Sequence, residues 1–191
     1  MQLLFITILK NIPNKRIESQ KVERKSSSKK VENKKKISEQ DLQVIDISEI
    51  NNFTQKKLIG RGGQSQVFKV VSDQIYALKE FQIIGSMSEN TERMRRFLQE
   101  YQAISMLNHP NIIKTYGICF GDEEHAPSIL LEFCPTNLSN SIGELFDWQR
   151  ITVIFEICLA MNEIHKLDLI HRDLKPENIL LNDFKHVKIS D

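Results

Sequence analysis

An α+β fold is predicted by the order of the apolar segments, which runs three strands, a helix, two strands and then a mostly helical half. Strands and helices segregated in this way do not fit alternating βαβ units. Two further observations agree. A glycine-rich loop joins two strands rather than a strand and a helix, and a long amphipathic helix lies in the second half.

Ordered structure is expected to begin near Asp46–Ile50. Phe53–Ile59 reads as a strand, Gly60–Ser65 as a tight loop and Gln66–Val71 as a second strand rich in Val and Phe. Ser72-Asp73 is a turn, and Gln74–Phe81 a third strand. A helix follows over Ser88–Leu107, with Met94, Phe97, Leu98, Tyr101, Ile104 and Leu107 at spacings of three and four. His109-Pro110-Asn111 ends it, because a residue before proline resists helical geometry. Ile112–Cys119 and Ser128–Phe133 are two more strands, separated by the acidic turn Gly121–His125. The long helix spans Trp148–Leu167, and Ile151, Ile154, Ile157, Cys158, Met161, Ile164 and His165 are expected on its buried stripe. Short extended pieces are expected at Leu169–Ile170, Ile179–Leu181 and His186–Ile189.

Charge divides the chain. The net charge of +1 conceals 11 Lys/Arg against 3 Glu in residues 1–36, and 15 against 22 acidic residues in 37–191. Residues 1–45 are expected to be a basic arm with too little to bury to offset its ordering entropy, and residues 46–191 the folded domain. Runs such as Lys34-Lys35-Lys36 suit a nuclear address, nucleic acid or anionic lipid as well as a solvated linker. The linker reading is preferred: no aromatic residue stands between Phe5 and Phe53 to stack on bases. The apolar start, Met1–Leu9, would span roughly 14 Å as a helix, about half a bilayer core. No signal peptide or membrane span is expected. Cys119, Cys134 and Cys158 have no metal-ligand spacing and an odd count, so reduced thiols and a cytoplasmic location are expected, with the Lys-rich arm leaving nuclear import open.

Three segments carry chemistry. Gly60-x-Gly62-x-x-Ser65-x-Val67 lacks the helix that a dinucleotide fold needs and the Gly-Lys-Ser/Thr of a P-loop. A glycine-tipped hairpin can still lie over phosphates, since its backbone N–H groups can approach them closely. Ala77 and Lys79 share one face of their strand, leaving room for a flat ring beside a cation. A half-buried lysine needs a carboxylate, and Glu100 on the following helix is the candidate. The third segment, His171-Arg172-Asp173-Leu174-Lys175-Pro176-Glu177-Asn178, gathers a carboxylate, a carboxamide, a lysine and an arginine just after a buried helix. Phosphoryl transfer needs such a set to orient a hydroxyl, offset migrating charge and offer oxygen to Mg²⁺.

With these motifs the chain resembles the eukaryotic protein kinase family over Phe53–Asp191. The resemblance implies a kinase-like fold: an N-lobe sheet with one helix, then the first part of a helical C-lobe. It implies ATP and Mg²⁺ as cofactors, and a protein substrate with a Ser or Thr acceptor. Asp173 matches the catalytic base, Lys175 the lysine typical of serine/threonine kinases, and Lys79 with Glu100 the phosphate-positioning pair. Nucleotide contacts are implied for Ile59, Gly60, Arg61, Gly62, Gly63, Gln64, Ser65, Val67, Ala77, Leu131, Glu132, Cys134 and Leu180. Asn178 and Asp191 match the metal ligands, Asp191 as the aspartate of Asp-Phe-Gly. The Ile113–Gly117 stretch and the hinge resemble the tyrosine-kinase-like group of serine/threonine kinases.

The departures are also informative. Ser65 replaces a glycine, and Thr115 stands where a larger apolar residue usually stacks between the lobes. The Phe-Gly pair and activation segment do not follow Asp191, so the 191 residues alone are expected to be inactive. A non-catalytic nucleotide-binding or decoy module is the alternative expectation.

Overall fold

Residues 43–82 and 87–190 are described by the computed structural model of the chain. The basic arm therefore lies outside the described residues, except for its last three positions. Five strands form one antiparallel sheet in the order β1-β2-β3-β5-β4. They are β1 (Gln55–Arg61), β2 (Ser65–Val71), β3 (Ile75–Phe81), β4 (Thr115–Cys119) and β5 (Ser128–Glu132). Gly60 and Arg61, expected in the loop, instead continue β1 past an irregularity between Leu58 and Gly60, so the hairpin tip shrinks to Gly62-Gly63-Gln64.

Pairing register sorts the side chains. Val67 lies opposite Lys79, Lys79 opposite Ile129, and Ala77 opposite Leu131, so these share the inner face. Val70, Leu78 and Leu130 occupy the outer face, where Phe68, Tyr76 and Tyr116 also pack. That face would meet water if the segment before β1 did not cover it. Ile45, Ile50 and Phe53 do so, with Ile47–Asn51 wound into a short helix, α1. Asp46 caps α1, accepting from Ser48 N at 2.8 Å, while Glu49 reaches back to Asp46 N. Residues 43–45, which composition assigned to the arm, pair instead with β4 through a parallel bridge from Val44 to Ile118.

Helix α2 (Met87–Ser105) buries Met94, Phe97, Leu98 and Tyr101, as their spacing predicts. After it the chain does not enter β4 directly. The expected strand Ile112–Cys119 divides, because Ile112 and Ile113 turn to meet β8 (Val187–Ile189). Ile189 N donates to Asn111 O, and Ile113 N to Ile189 O, both at 2.9 Å. Buried Asn111 adds a side-chain bond to Val187 O.

In the second half, β6 (Thr136–Asn137), β7 (Ile179–Leu181) and β8 form a three-stranded antiparallel sheet. Neither β6 nor the single turn α3 (Leu138–Ser141), capped by Asn137, stands out in the sequence. Helix α4 (Asp147–Lys166) forms as expected, but its buried face differs. Val153, Glu156, Ala160 and Ile164 are buried, and Ile157 and Met161 partly so. Ile151, Ile154, Cys158 and His165 are exposed, as are Trp148 and Phe155. The helix is apolar on most sides, so periodicity cannot select a face; packing on β8 does.

Candidate functional site

The glycine hairpin closes through Gly62 N donating to Ser65 O at 2.8 Å. Gln82 N donates to Gln64 O, holding the tip over the end of β3. A Cβ added at Gly63 would meet nothing within 4 Å, so the tip offers an open backbone surface. Arg61, Gly62, Gly63 and Gln64 are all exposed, while Ser65 and Val67 are half-buried and Ile59 remains accessible.

Beneath the hairpin, Lys79 is buried, and its Nζ lies 2.7 Å from Glu100 Oε1. Sequence reasoning pairs these two residues, and the fold brings them together. Phe81 of β3 also stacks edge-to-face on Phe97 of α2, with ring centroids 4.8 Å apart. Ala77 and Leu131, opposite each other on the inner face, are buried; Leu180 on β7 is half-buried.

The segment after β5 is fixed by charge. Glu132 N donates to Lys114 O, and the Glu132 carboxylate accepts Lys188 Nζ at 2.9 Å. This ion pair ties the inter-lobe segment to β8, and nothing in the local sequence around either residue signals it. Burial, reinforced by the charge of Glu132, pushes the Cys134 thiol up to about 12. Cys134 therefore stays a neutral thiol and no nucleophile. All three cysteines are free thiols.

Asp173, Lys175 and Asn178 converge after α4. Lys175 Nζ lies 2.7 Å from Asp173 Oδ2, and Asn178 Nδ2 donates to the same oxygen and to Asp173 O, each at 2.9 Å. The lysine bond first, then the amide, holds the Asp173 carboxyl below the usual carboxylate range. Both side-chain bonds of Asn178 use the amide nitrogen, and its side-chain oxygen, an acceptor, has no hydrogen bond among the described residues. Ser190, which sequence reasoning missed, fixes Asn178 from just past the end of β8: its N and Oγ both donate to the Asn178 backbone O. Arg172 adopts φ = 69°, a left-handed conformation that costs a non-glycine residue about 1–2 kcal/mol. Backbone strain of this kind tends to persist at functional sites. His171 lines an apolar cavity of about 140 Å³ between α2, α4 and β8, and neither ring nitrogen has a partner among the described residues. Asp191 lies outside the described residues. No group of three or more His, Cys, Asp or Glu suited to a metal occurs among the described residues, and no helix there is long and apolar enough to cross a membrane.

A family model described as a protein kinase domain matches residues 53–191. The chain belongs to the protein kinase family. Curated relatives include wall-associated receptor kinase-like 6 of Arabidopsis thaliana, 30% identical over 155 residues, covering 74% of this chain and 23% of the relative. Wall-associated receptor kinase-like 3 of the same plant is 31% identical over 153 residues, covering 74% of this chain and 20% of the relative. The chain thus spans about a fifth of the length of the curated relatives it matches. In kinase terms the five-stranded sheet with α2 is the N-lobe, and the elements from β6 onward belong to the C-lobe. The matched region leaves out α1 and residues 43–52, although these cover the outer face of the N-lobe sheet.

Proposed function

We propose that this kinase domain transfers the γ-phosphoryl group of Mg-ATP to serine or threonine of a protein substrate. The observation that carries the reading is the cluster of Asp173, Lys175 and Asn178 around one carboxylate oxygen. Asp173 and Lys175 are exposed, so their pairing contributes little to stability, while it keeps a carboxylate ionised beside an ammonium. Asp173 is suited to accept a hydrogen bond from the acceptor hydroxyl and orient it. Lys175 offsets charge on the migrating phosphoryl group, and its presence supports a serine/threonine acceptor. Lys79, paired with Glu100, positions the α/β-phosphates under the glycine hairpin. The adenine is assigned to Val67 and Ala77 on the inner face, to Leu180 on β7 and to the Glu132–Cys134 backbone.

The residues fit a magnesium ion: the Asn178 side-chain oxygen has no hydrogen bond among the described residues, and the chain runs from Ser190, bonded to the Asn178 backbone, directly into Asp191. These two residues would hold the metal, which when bound neutralises charge across the β- and γ-phosphates.

The test is phosphotransfer from labelled ATP to a generic protein substrate, with phosphoamino-acid analysis, by the 191-residue chain and by any longer form that contains it. Turnover is expected in the longer form, as phosphoserine and phosphothreonine, and Asp173→Ala should lower it by orders of magnitude. Undiminished turnover in Asp173→Ala would refute the base assignment, and dominant phosphotyrosine would refute the acceptor class.

A further inference from the structure

We propose that residues 43–45 act as a positioning strap, with Tyr101 as its anchor on α2, holding that helix where Glu100 meets Lys79. The inference rests on the nucleotide-binding reading above, and adds residues that this reading does not use.

The strap occupies a specific place. β4 is an edge strand, whose outward N–H and C=O groups need partners. Ile118 N donates to Gln43 O at 2.9 Å, and Ile45 N to Ile118 O at 2.8 Å, so one β4 residue holds the strap from both sides. Gly117 makes this approach feasible. A Cβ there would stand 2.6 Å from Gln43 O and 2.7 Å from Ile45 Cγ1, closer than atoms can pack. Glycine weakens a strand and often marks the point where another backbone comes close, and here the second backbone is the strap. Ile45 then enters the outer-face core beside Leu78, the neighbour of Lys79 in β3.

The other end of the contact is on α2. Gln43 N donates to the Tyr101 hydroxyl at 3.2 Å across 58 residues of sequence. Tyr101 is 2% exposed and directly follows Glu100. Burial raises its phenol above the ordinary range, so the hydroxyl stays neutral and able to accept. Nearer its N-terminus α2 is tied by Arg93 Nη1 donating to Gln82 O at 3.0 Å, and in its middle by Phe97 on Phe81. The strap supplies a polar tie to the turn that carries Glu100, beside the ion pair with Lys79. Loosening it frees that turn to rotate or withdraw, and the ion pair lengthens before anything else in the site changes.

The test uses the full 191-residue chain and Mg²⁺ with a fluorescent ADP analogue. Lys79→Met should weaken binding. Tyr101→Phe removes one oxygen and should weaken binding about two- to twelvefold, the worth of one neutral hydrogen bond. Gly117→Val, which displaces the strap without touching α2, should weaken it more. The Tyr101→Phe effect should vanish in the Lys79→Met background, because the hydroxyl acts through that ion pair; a merely structural role would leave the two effects additive. Amide exchange along residues 91–105 should accelerate in both strap variants. If Gly117→Val fails to fold, Tyr101→Phe and the double variant decide.

Wild-type affinity in Tyr101→Phe while Lys79→Met binds poorly would overturn the strap and leave the nucleotide reading intact. So would a Tyr101→Phe loss that persists undiminished on Lys79→Met. If the chain binds no analogue, or Lys79→Met binds like the wild type, the nucleotide reading fails instead. The strap is then judged on α2 exchange alone, and unchanged exchange in Tyr101→Phe overturns it.

Discussion

Replacing Glu156 by alanine should destabilise the chain by about 1–4 kcal/mol, a large effect for one helix residue. The magnitude follows from two contacts. Glu156 is buried on α4, and its Oε2 accepts from Val187 N at 2.7 Å. Val187 is wholly buried, so without the carboxylate its N–H has no water to turn to. Losing a hydrogen bond to a charged group and stranding its donor costs about 1–3 kcal/mol. The second contact, His186 Nδ1 at 2.6 Å from Oε1, involves a side chain that is 56% exposed and adds about 0–1 kcal/mol. Glu156→Gln keeps an acceptor for Val187 N and should cost about 1 kcal/mol, the difference between charged and neutral acceptors. His186→Ala should cost less than about 1 kcal/mol, since it removes only the exposed contact. Urea unfolding of the full chain, compared at constant m, measures all three. The reasoning fails if Glu156→Ala lies within about 0.5 kcal/mol of wild type, the scatter of ordinary surface substitutions. It also fails if His186→Ala costs as much as Glu156→Ala. The consequence reaches the site, because β8 runs directly into Ser190, which holds Asn178.

Thr115 Oγ1 is buried with no partner among the described residues, so Thr115→Val should raise stability by about 1 kcal/mol in the same assay; a loss would show that the hydroxyl is satisfied. The Asp173 carboxyl should titrate below the ordinary range by ¹³C NMR, and Lys175→Met should move its midpoint upward. A depressed folded-state value means that its favourable contribution is present at neutral pH and is lost as pH falls through that midpoint; an ordinary midpoint in the wild type refutes the coupling. Ile151, Ile154 and Phe155 are each more than 60% exposed on α4, so the chain should self-associate with rising concentration. Ile151→Gln with Phe155→Gln should reduce that association in sedimentation velocity without lowering the melt, and unchanged association would refute the role of this face.

Features that neighbouring residues settle among themselves were legible in the sequence. Strand alternation put Ala77 and Lys79 on one face, and helical spacing put Met94, Phe97, Leu98 and Tyr101 on another; both faces are found. The Asp173–Asn178 cluster spans six positions, so its geometry was almost wholly local. Glu100 was legible because a buried lysine requires a carboxylate and the helix offers one at the right place. The remaining features rest on contacts between residues far apart in the chain. α4 is apolar on most of its circumference, and its buried face was settled by contact with β8 rather than by period. The Glu156–Val187, Glu132–Lys188 and Gln43–Tyr101 contacts join residues 31, 56 and 58 positions apart, the middle figure being the difference of the two residue numbers. No local pattern encodes such pairs. Each depends on long loops closing, and on burial that leaves a polar group with one partner within reach.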